Sequence, residues 1–322
     1  MMTGQTLVID GGVVVTGKEM TTNVDWIAVD WGTTNLRAWV FDSAGQIVAT
    51  LTSDRGMGGL ECDAFEPALL ALIAPYLADG QRTPVIACGM VGARQGWTEA
   101  TYADVPCPPP AIDRATRAPA NDPRIEVFIL PGVSQNRPAD VMRGEETQIG
   151  GFLASNPNFD GTLCLPGTHT KWVQISAGEI ISFRTFMTGD LFAAIMGHTV
   201  LRHSAAKGQD LASFDCGVSE GLSRPEMLTA RLFTLRAEGL LHHMTAVAAS
   251  ERLSGLLIGQ ELAGAKQYWL STQVALIGGA ALCERYARSL STLGAKPELA
   301  DGDTMVLAGL RAAQARLKTI GT

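Results

Sequence analysis

Apolar and polar positions separate most sharply between Trp26 and Asp42. Trp26 to Asp30 reads as an apolar strand ending in a carboxylate, Leu36 to Phe41 as its partner, and Gly32-Thr33-Thr34-Asn35 as the tight turn between them. Gln46 to Thr52 predicts a third antiparallel strand beyond a turn at Ser43-Ala44-Gly45. Helical spacing takes over from Asp63 to Leu77, with Leu69, Leu70, Leu72, Ile73 and Leu77 on one face. Pro84 to Cys88 reads as a buried strand and Ile125 to Leu130 as a further strand. Pro106 to Pro123 reads as an irregular excursion, and Pro131 to Pro138 as loop. Val141 to Ala154 then enters a helix, with Glu145 and Glu146 in the first turn, where the helix dipole favours acids.

The second half repeats the opening pattern. Thr162 to Ile175 is an apolar strand, a polar turn at Gly167-Thr168-His169-Thr170 and a second strand carrying a Trp, followed by a strand from Ile180 to Met187. Helical patterns cover Asp190 to His203, Asp215 to Leu222, Thr229 to Leu241 and Ala246 to Gln267. In the last of these, Leu253 to Leu257 reads as core. Gln273 to Gly279 predicts an apolar strand leading into a helix from Ala280 to Leu293, and a final helix starts at Asp301. The repeat implies an α/β protein of two lobes, residues 25–142 and 143–322. Residues 1–24 form an N-terminal extension in which Val8 to Val15 is a short strand in an otherwise frayed segment.

Composition narrows the classes. Of 322 residues, 46% are hydrophobic and 18% charged, as in a globular protein with a substantial core. A net charge of -7 argues against a nucleic-acid surface, and no apolar run reaches membrane-spanning length. The first twenty residues lack the basic start and sustained apolar core of a signal peptide. The six cysteines are scattered without a C-x-x-C pair and read as buried, reduced thiols rather than metal ligands or disulfides. A cytoplasmic protein with no nucleic-acid or membrane partner is expected, with homo-oligomerisation left open.

Candidate chemistry gathers at the turns. Amides and hydroxyls of Gly32, Thr33, Thr34 and Asn35 suit an anion nest, with Asp30 beside them able to hold Mg²⁺; the alternative is an ordinary polar hairpin. Gly167, Thr168, His169 and Lys171 offer a second phosphate-binding turn; Lys171 also reads as a solvated surface charge. The pair of hairpins, facing each other across a cleft, suits the two ends of a triphosphate. Gly89, Met90, Val91, Gly92 and Trp97 follow a strand end, where α/β sheets present ligand contacts; alternatively the glycines only permit a turn and Trp97 packs. Glu145 and Glu146 read either as surface acids complementing the helix dipole or as a general base. Gly278 and Gly279, at a strand end before a helix, allow close approach of a ligand.

The order of these pieces resembles the sugar-kinase branch of the superfamily that includes actin and chaperone ATPase domains, from about Asp25 onward. That resemblance implies two ribonuclease-H-like lobes (the actin-like ATPase fold) with a cleft between them. It makes Asp30 to Asn35 the first phosphate motif, Pro166 to Trp172 the second, and Leu276 to Ala281 the adenosine motif. Related kinases carry a Gly-Asp whose acid is the catalytic base; Gly144-Glu145 stands at that place with Glu for Asp. The closer resemblance is to the 2-dehydro-3-deoxygalactonokinases. It rests on residues 30–39, Gly-Met-Val-Gly at 89–92, Met-Arg-Gly-Glu-Glu-Thr-Gln at 142–148, 166–173, Phe-Arg-Thr-Phe-Met-Thr-Gly at 183–189 and 253–259.

This family resemblance implies ATP and Mg²⁺ as cofactors and phosphorylation of the 6-hydroxyl of 2-dehydro-3-deoxy-D-galactonate in galactonate breakdown. It also implies Glu145 as base, with Glu146 and Asp190 as alternatives, and an Arg for the substrate carboxylate among Arg37, Arg94, Arg143 and Arg184. Competing readings are a kinase for another keto-deoxy or aldonic acid, and a non-kinase ATPase or sugar sensor on the same fold.

Overall fold

The structure, a computed structural model, describes residues 6–9, 13–17, 24–109, 112–204 and 206–320. Two compact units divide the chain: Met1–Asn158 with Asp303–Thr322, and Phe159–Gly302.

In the first unit the strands are β1 (Thr6–Ile9), β2 (Val13–Gly17), β3 (Val24–Trp31), β4 (Leu36–Asp42), β5 (Ile47–Ser53), β6 (Thr83–Gly89), β7 (Tyr102–Asp104), β8 (Thr116–Arg117), β9 (Ile125–Ile129), β10 (Gly132–Asn136) and β11 (Ala139–Met142). Its main sheet has the order β1-β2-β5-β4-β3-β6-β9-β8. β3, β4 and β5 are antiparallel neighbours, whereas β6 and β9 join in parallel. Alternation along β3 sends Ile27, Val29 and Trp31 into a core with Phe65, Leu69 and Leu72 of α1 (Phe65–Ile73). Trp26 and Ala28 go to the opposite core, with Val306, Leu310 and Ala313 near the C-terminus. Apolar cover on both faces explains the nearly unbroken hydrophobic run of β3.

The second unit holds β12 (Gly161–Leu165), β13 (Thr170–Ser176), β14 (Glu179–Phe186), β15 (Val274–Gly278) and β16 (Glu298–Asp301), in the order β14-β13-β12-β15-β16. Again the first three strands are antiparallel neighbours and the last two join in parallel. The strand order β5-β4-β3-β6-β9 of the first unit is thus repeated, and this is the ribonuclease-H-like arrangement of actin-like ATPases. The helices after β14 are α3 (Thr188–His198), α4 (Leu211–Ser223), α5 (Leu228–Leu241), α6 (Ala246–Gly264), α7 (Lys266–Trp269) and α8 (Ala280–Thr292). α4 and α6 meet backbone to backbone: a methyl at Gly217 or Gly221 would overlap main-chain atoms of Arg252 or Leu256, and one at Gly255 or Gly259 those of Phe214 or Val218. That contact accounts for the glycines of the 253–259 motif.

Several expectations are corrected. The boundary at 143 falls later, because α2 (Glu145–Ser155) belongs to the first unit, as does most of α9 (Gly302–Ile320). These two helices lock together, since a methyl at Gly151 would overlap the Met305 carbonyl and one at Gly309 the Thr147 carbonyl. Pro131 to Pro138 is not loop: β10 and β11 form a hairpin over it, and α2 begins at Glu145 rather than near Val141. The stretch Val8 to Val15 is not one strand: its described residues fall in two antiparallel strands, and β2 pairs with β5. Apart from these two strands and Val24, the N-terminal extension lies outside the described residues.

Candidate active site

In the first unit, parallel pairing of β3 with β6 sets Asp30 opposite Cys88 and Trp31 opposite Gly89. Asp30 Oδ2 accepts a hydrogen bond from Arg37 Nη2 at 2.6 Å, and Arg37 also pairs with Asp303 at the start of α9. Burial alone would lower the Arg37 pKa, but the Asp303 hydrogen bond and the Asp30 charge outweigh it and raise the value. Arg37 thus has two carboxylates of its own unit and holds Asp30. Cys88 Sγ lies 3.8 Å from Asp30 Oδ1, and burial, then the charges of Asp30 and Glu146, push its thiol pKa well up.

The turn after β3 closes through Gly32 N–H donating to Asn35 O at 2.9 Å. Its other carbonyls are taken by the Arg55–Gly59 segment: Met57 N–H donates to Gly32 O, Gly58 N–H to Thr33 O and Gly56 N–H to Thr34 O, at 3.0, 2.9 and 3.2 Å. A methyl at Gly56 would overlap the backbone of Thr33 and Thr34. With the carbonyls held back, Thr33, Thr34 and Asn35 stand exposed. The glycine-rich segment, then, braces this turn.

The loop after β6 divides. Val91 is fully buried, and Trp97 packs into the core 6.4 Å from Trp31 and 6.5 Å from Phe65. Neither offers its side chain to a ligand, which corrects their assignment as substrate contacts. Gly89, half-buried Met90 and Gly92 remain. A methyl at Gly92 would sit 2.9 Å from Arg143 Nη1, and one at Gly144 would sit 3.4 Å from Gly89 Cα. The loop and the start of α2 therefore form one wall.

On that wall Arg143 lies over the Tyr102 ring at 4.3 Å and donates from Nη2 to Ala100 O at 2.8 Å. Its Nε and Nη1 are buried without a hydrogen-bond partner. Buried, unpaired N–H groups on a half-buried cation are costly and favour an anionic ligand. Glu145 is half-exposed and accepts from Arg143 N–H at 3.1 Å. Glu146 is buried, accepting from Gly144 N–H at 2.7 Å and Thr147 Oγ1 at 3.3 Å, so it is no surface acid. Burial first, and the Glu145 charge second, push its pKa up to about 8. Arg94 is exposed on the same loop, whereas Arg184 lies in the second unit on β14, opposite Trp172.

In the second unit, parallel pairing of β12 and β15 brings their ends together. A methyl at Gly278 would sit 3.3 Å from Pro166 O, next to Gly167, and Gly279 opens α8 as its N-cap. Thr168 and His169 are exposed, and His169 Nε2 is 3.4 Å from Asp190 Oδ2. Asp190 N–H donates to Thr168 O at 2.9 Å, fixing the start of α3 on this turn. Lys171 is 95% buried (5% exposed), with Nζ donating to His169 O at 3.2 Å, which corrects its reading as a solvated surface charge.

Beside Gly167 opens a cavity of about 500 Å³, walled by α3, α6 and α8. Thr188, Ser250, Glu251, Ser254, Arg285 and Tyr286 line it among apolar side chains. Arg285 pairs with both Glu251 oxygens at 2.8 and 2.7 Å and stacks over Phe214 at 5.0 Å. This size, and a mostly apolar lining with few fixed polar groups, suit a ligand such as a nucleoside. Sequence reasoning named Gly167 as a site residue and met Thr188 and Ser254 only within the family motifs, while Ser250, Glu251, Arg285 and Tyr286 were not singled out. The available signal was on α6, where Ser250, Glu251 and Ser254 share one side of the helix.

Comparison with known proteins places this geometry. The family model for 2-keto-3-deoxy-galactonokinase matches residues 30–313. A Rhizobium meliloti (strain 1021) protein named "Probable 2-dehydro-3-deoxygalactonokinase DgoK1" is 40% identical over 302 residues, covering 91% of this chain and 98% of the relative. The 2-dehydro-3-deoxygalactonokinase of Escherichia coli (strain K12) is 35% identical over 292 residues, 89% of this chain and 96% of that one. A crystal structure of a Sinorhizobium meliloti protein assigned as a 2-dehydro-3-deoxygalactonokinase superposes with a TM-score of 0.83 at 38% identity, covering 91% of this chain and 99% of the other. With a match that spans both units and identities of this size over nearly the whole length, the chain belongs to the 2-keto-3-deoxy-galactonokinase family.

Proposed function

We propose that the protein transfers the γ-phosphoryl group of ATP to the 6-hydroxyl of 2-dehydro-3-deoxy-D-galactonate, giving the 6-phosphate, as a step of galactonate breakdown in the cytoplasm. The family match supports the reaction class. The observation that carries the acidic-substrate part is Arg143, a cation with two unpaired buried nitrogens on the wall that also bears Glu145. Arg37 is bound to Asp30 and Asp303, and Arg94 is exposed, so Arg143 is the best placed of the first unit's three arginine candidates to take the carboxylate in a forked pair. No helix among the described residues is long and apolar enough to cross a membrane.

In this reading Glu145 accepts the hydroxyl proton and orients the oxygen for attack, while Gly89, Met90 and Gly92 shape the sugar-acid site. Phosphoryl transfer depends mainly on positioning and charge neutralisation. In the first unit, Gly32, Thr33, Thr34 and Asn35 supply amides and hydroxyls that suit a phosphate; in the second, taken by itself, Gly167, Thr168, His169 and Lys171 supply amides, a hydroxyl and positive charge that suit one. The cavity beside Gly167, with Gly278 and Gly279 at the start of α8, takes the nucleoside.

Asp30 is the residue fitted to hold Mg²⁺. It is a partly exposed carboxylate at a strand end, and Mg²⁺ commonly binds through one or two carboxylates together with water and substrate phosphates. Bound there, the ion would neutralise phosphate charge. Arg37 would keep the carboxylate aimed.

ATP consumption measured against a panel of keto-deoxy and aldonic acids tests the reading. Turnover is expected with 2-dehydro-3-deoxygalactonate well above that with other sugar acids. Preference for a different acid would reassign the substrate, and sugar-independent ATP hydrolysis would remove the kinase reading.

A further inference from the structure

One buried acid in the second unit has no part in the scheme above. Glu261, on α6, is fully buried. Its Oε1 accepts from Trp172 Nε1 at 2.8 Å, and its Oε2 accepts from Tyr286 OH at 2.8 Å and from Thr188 Oγ1. Thr170 Oγ1 lies 3.1 Å from Tyr286 OH and extends the cluster. Trp172 can only donate, and the two hydroxyls turn their protons toward the carboxylate, so Glu261 is the common acceptor. Burial pushes its pKa up, while the donors from Thr188, Trp172 and Tyr286 hold it down in part. A buried carboxylate serves stability poorly compared with an apolar residue of the same size. What it joins gives a better reason for its presence.

The three donors and Thr170 come from three elements around the nucleoside cavity. Thr170 and Trp172 start β13 directly after the Gly167–His169 turn. Thr188 opens α3, where a methyl at the next residue, Gly189, would overlap the Gly167 carbonyl. Tyr286 lies on α8, the helix that Gly279 caps. Thr188 and Tyr286 also line the cavity itself. The carboxylate thus ties the phosphate-binding turn, the start of α3 and the wall of α8 to one point on α6.

We infer that Glu261 is a positioning residue for the nucleotide, fixing the Gly167–His169 turn and the α3 and α8 walls of the cavity in the form that binds a nucleoside triphosphate. The inference rests on the reading of that cavity as the nucleotide site. Glu261 does not touch the ligand and acts through Thr188, Tyr286 and β13. An amide at this position has one acceptor oxygen and an NH₂ facing donors, so Glu261→Gln breaks the network with little change in volume. Thr188→Val removes one donor and leaves the carboxylate in place.

The test is the affinity of each variant for a non-hydrolysable ATP analogue, by titration calorimetry well below its Tm, together with KM for ATP and for the sugar acid. Glu261→Gln should weaken analogue binding and raise KM for ATP by about tenfold or more, the value of a hydrogen bond to a charged group, with KM for the sugar acid unchanged. Thr188→Val should shift the same two quantities by less, and it decides the matter if Glu261→Gln does not fold. A lower Tm with wild-type analogue affinity in both variants would overturn the inference and leave a purely structural brace. If the wild type itself failed to bind the analogue, the nucleotide reading of the cavity would fall first and this inference with it.

Discussion

Glu146 offers a prediction whose size follows from its surroundings. It is 1% exposed, next to the Glu145 charge, and its pKa stands near 8 against an ordinary 4.5. The sign follows from linkage. An acid whose pKa is raised by folding favours the folded state most below its unfolded value, and that contribution is lost as pH rises through the folded value. The window therefore opens at about pH 4.5 and closes just above pH 8. At about 1.4 kcal/mol per pH unit, the full loss is roughly 5 kcal/mol, and about 4 kcal/mol of it falls between pH 5 and pH 9.

Glu146→Gln keeps an oxygen for Gly144 N–H and cannot ionise. Urea unfolding of both proteins at pH 5, 7 and 9 should show the variant gaining on the wild type by roughly 4 kcal/mol across that range, whatever the offset at pH 5. Parallel stability curves would refute the argument. They would mean that Glu146 ionises at an ordinary pKa and is solvated or paired in a way its burial does not suggest.

Glu145→Gln should lower kcat by about 10²–10⁴-fold, the usual contribution of a general base, with little change in sugar-acid affinity; undiminished kcat would remove its role. Arg143→Lys keeps the charge and loses the fork, so KM for the sugar acid should rise by about tenfold or more while KM for ATP stays put. Ser254→Trp fills the cavity and should abolish analogue binding by calorimetry; retained binding would move the nucleoside elsewhere. Gly151→Ala, in overlap with the Met305 carbonyl, should destabilise by about 1–3 kcal/mol in urea unfolding, in line with other overpacked contacts.

What the sequence showed and what it hid divide along physical lines. The two strand-turn-strand starts were legible because strands buried on both faces read as unbroken apolar runs with polar turns between them. The hairpin of β10 and β11 was hidden by polar content, since Ser134, Gln135 and Asn136 make a strand by pairing rather than by a hydrophobic face, and Pro131 and Pro138 look like breakers. Trp97 illustrates a limit of local position: it follows a strand end, but Trp31 and Phe65 draw its ring inward. Arg37 on β4 needed a partner, and one of the two lies at the far end of the chain, at Asp303, where no local pattern points. The same long-range packing gives most of α9 to the first unit. Turn residues and the acid pair were visible as chemistry. The cavity beside Gly167 was not, because it is assembled from three helices whose polar positions look like ordinary solvent faces.

Phosphoryl transfer from ATP to a sugar acid lies at the heart of the proposed function. Its most direct measurement is phosphorus NMR of a reaction containing the protein, ATP, Mg²⁺ and 2-dehydro-3-deoxygalactonate, followed by carbon–phosphorus coupling in the product. A new phosphomonoester signal coupled to carbon 6 is expected, growing in step with ADP. ADP accompanied only by inorganic phosphate, or a phosphoryl group on another carbon, would contradict it.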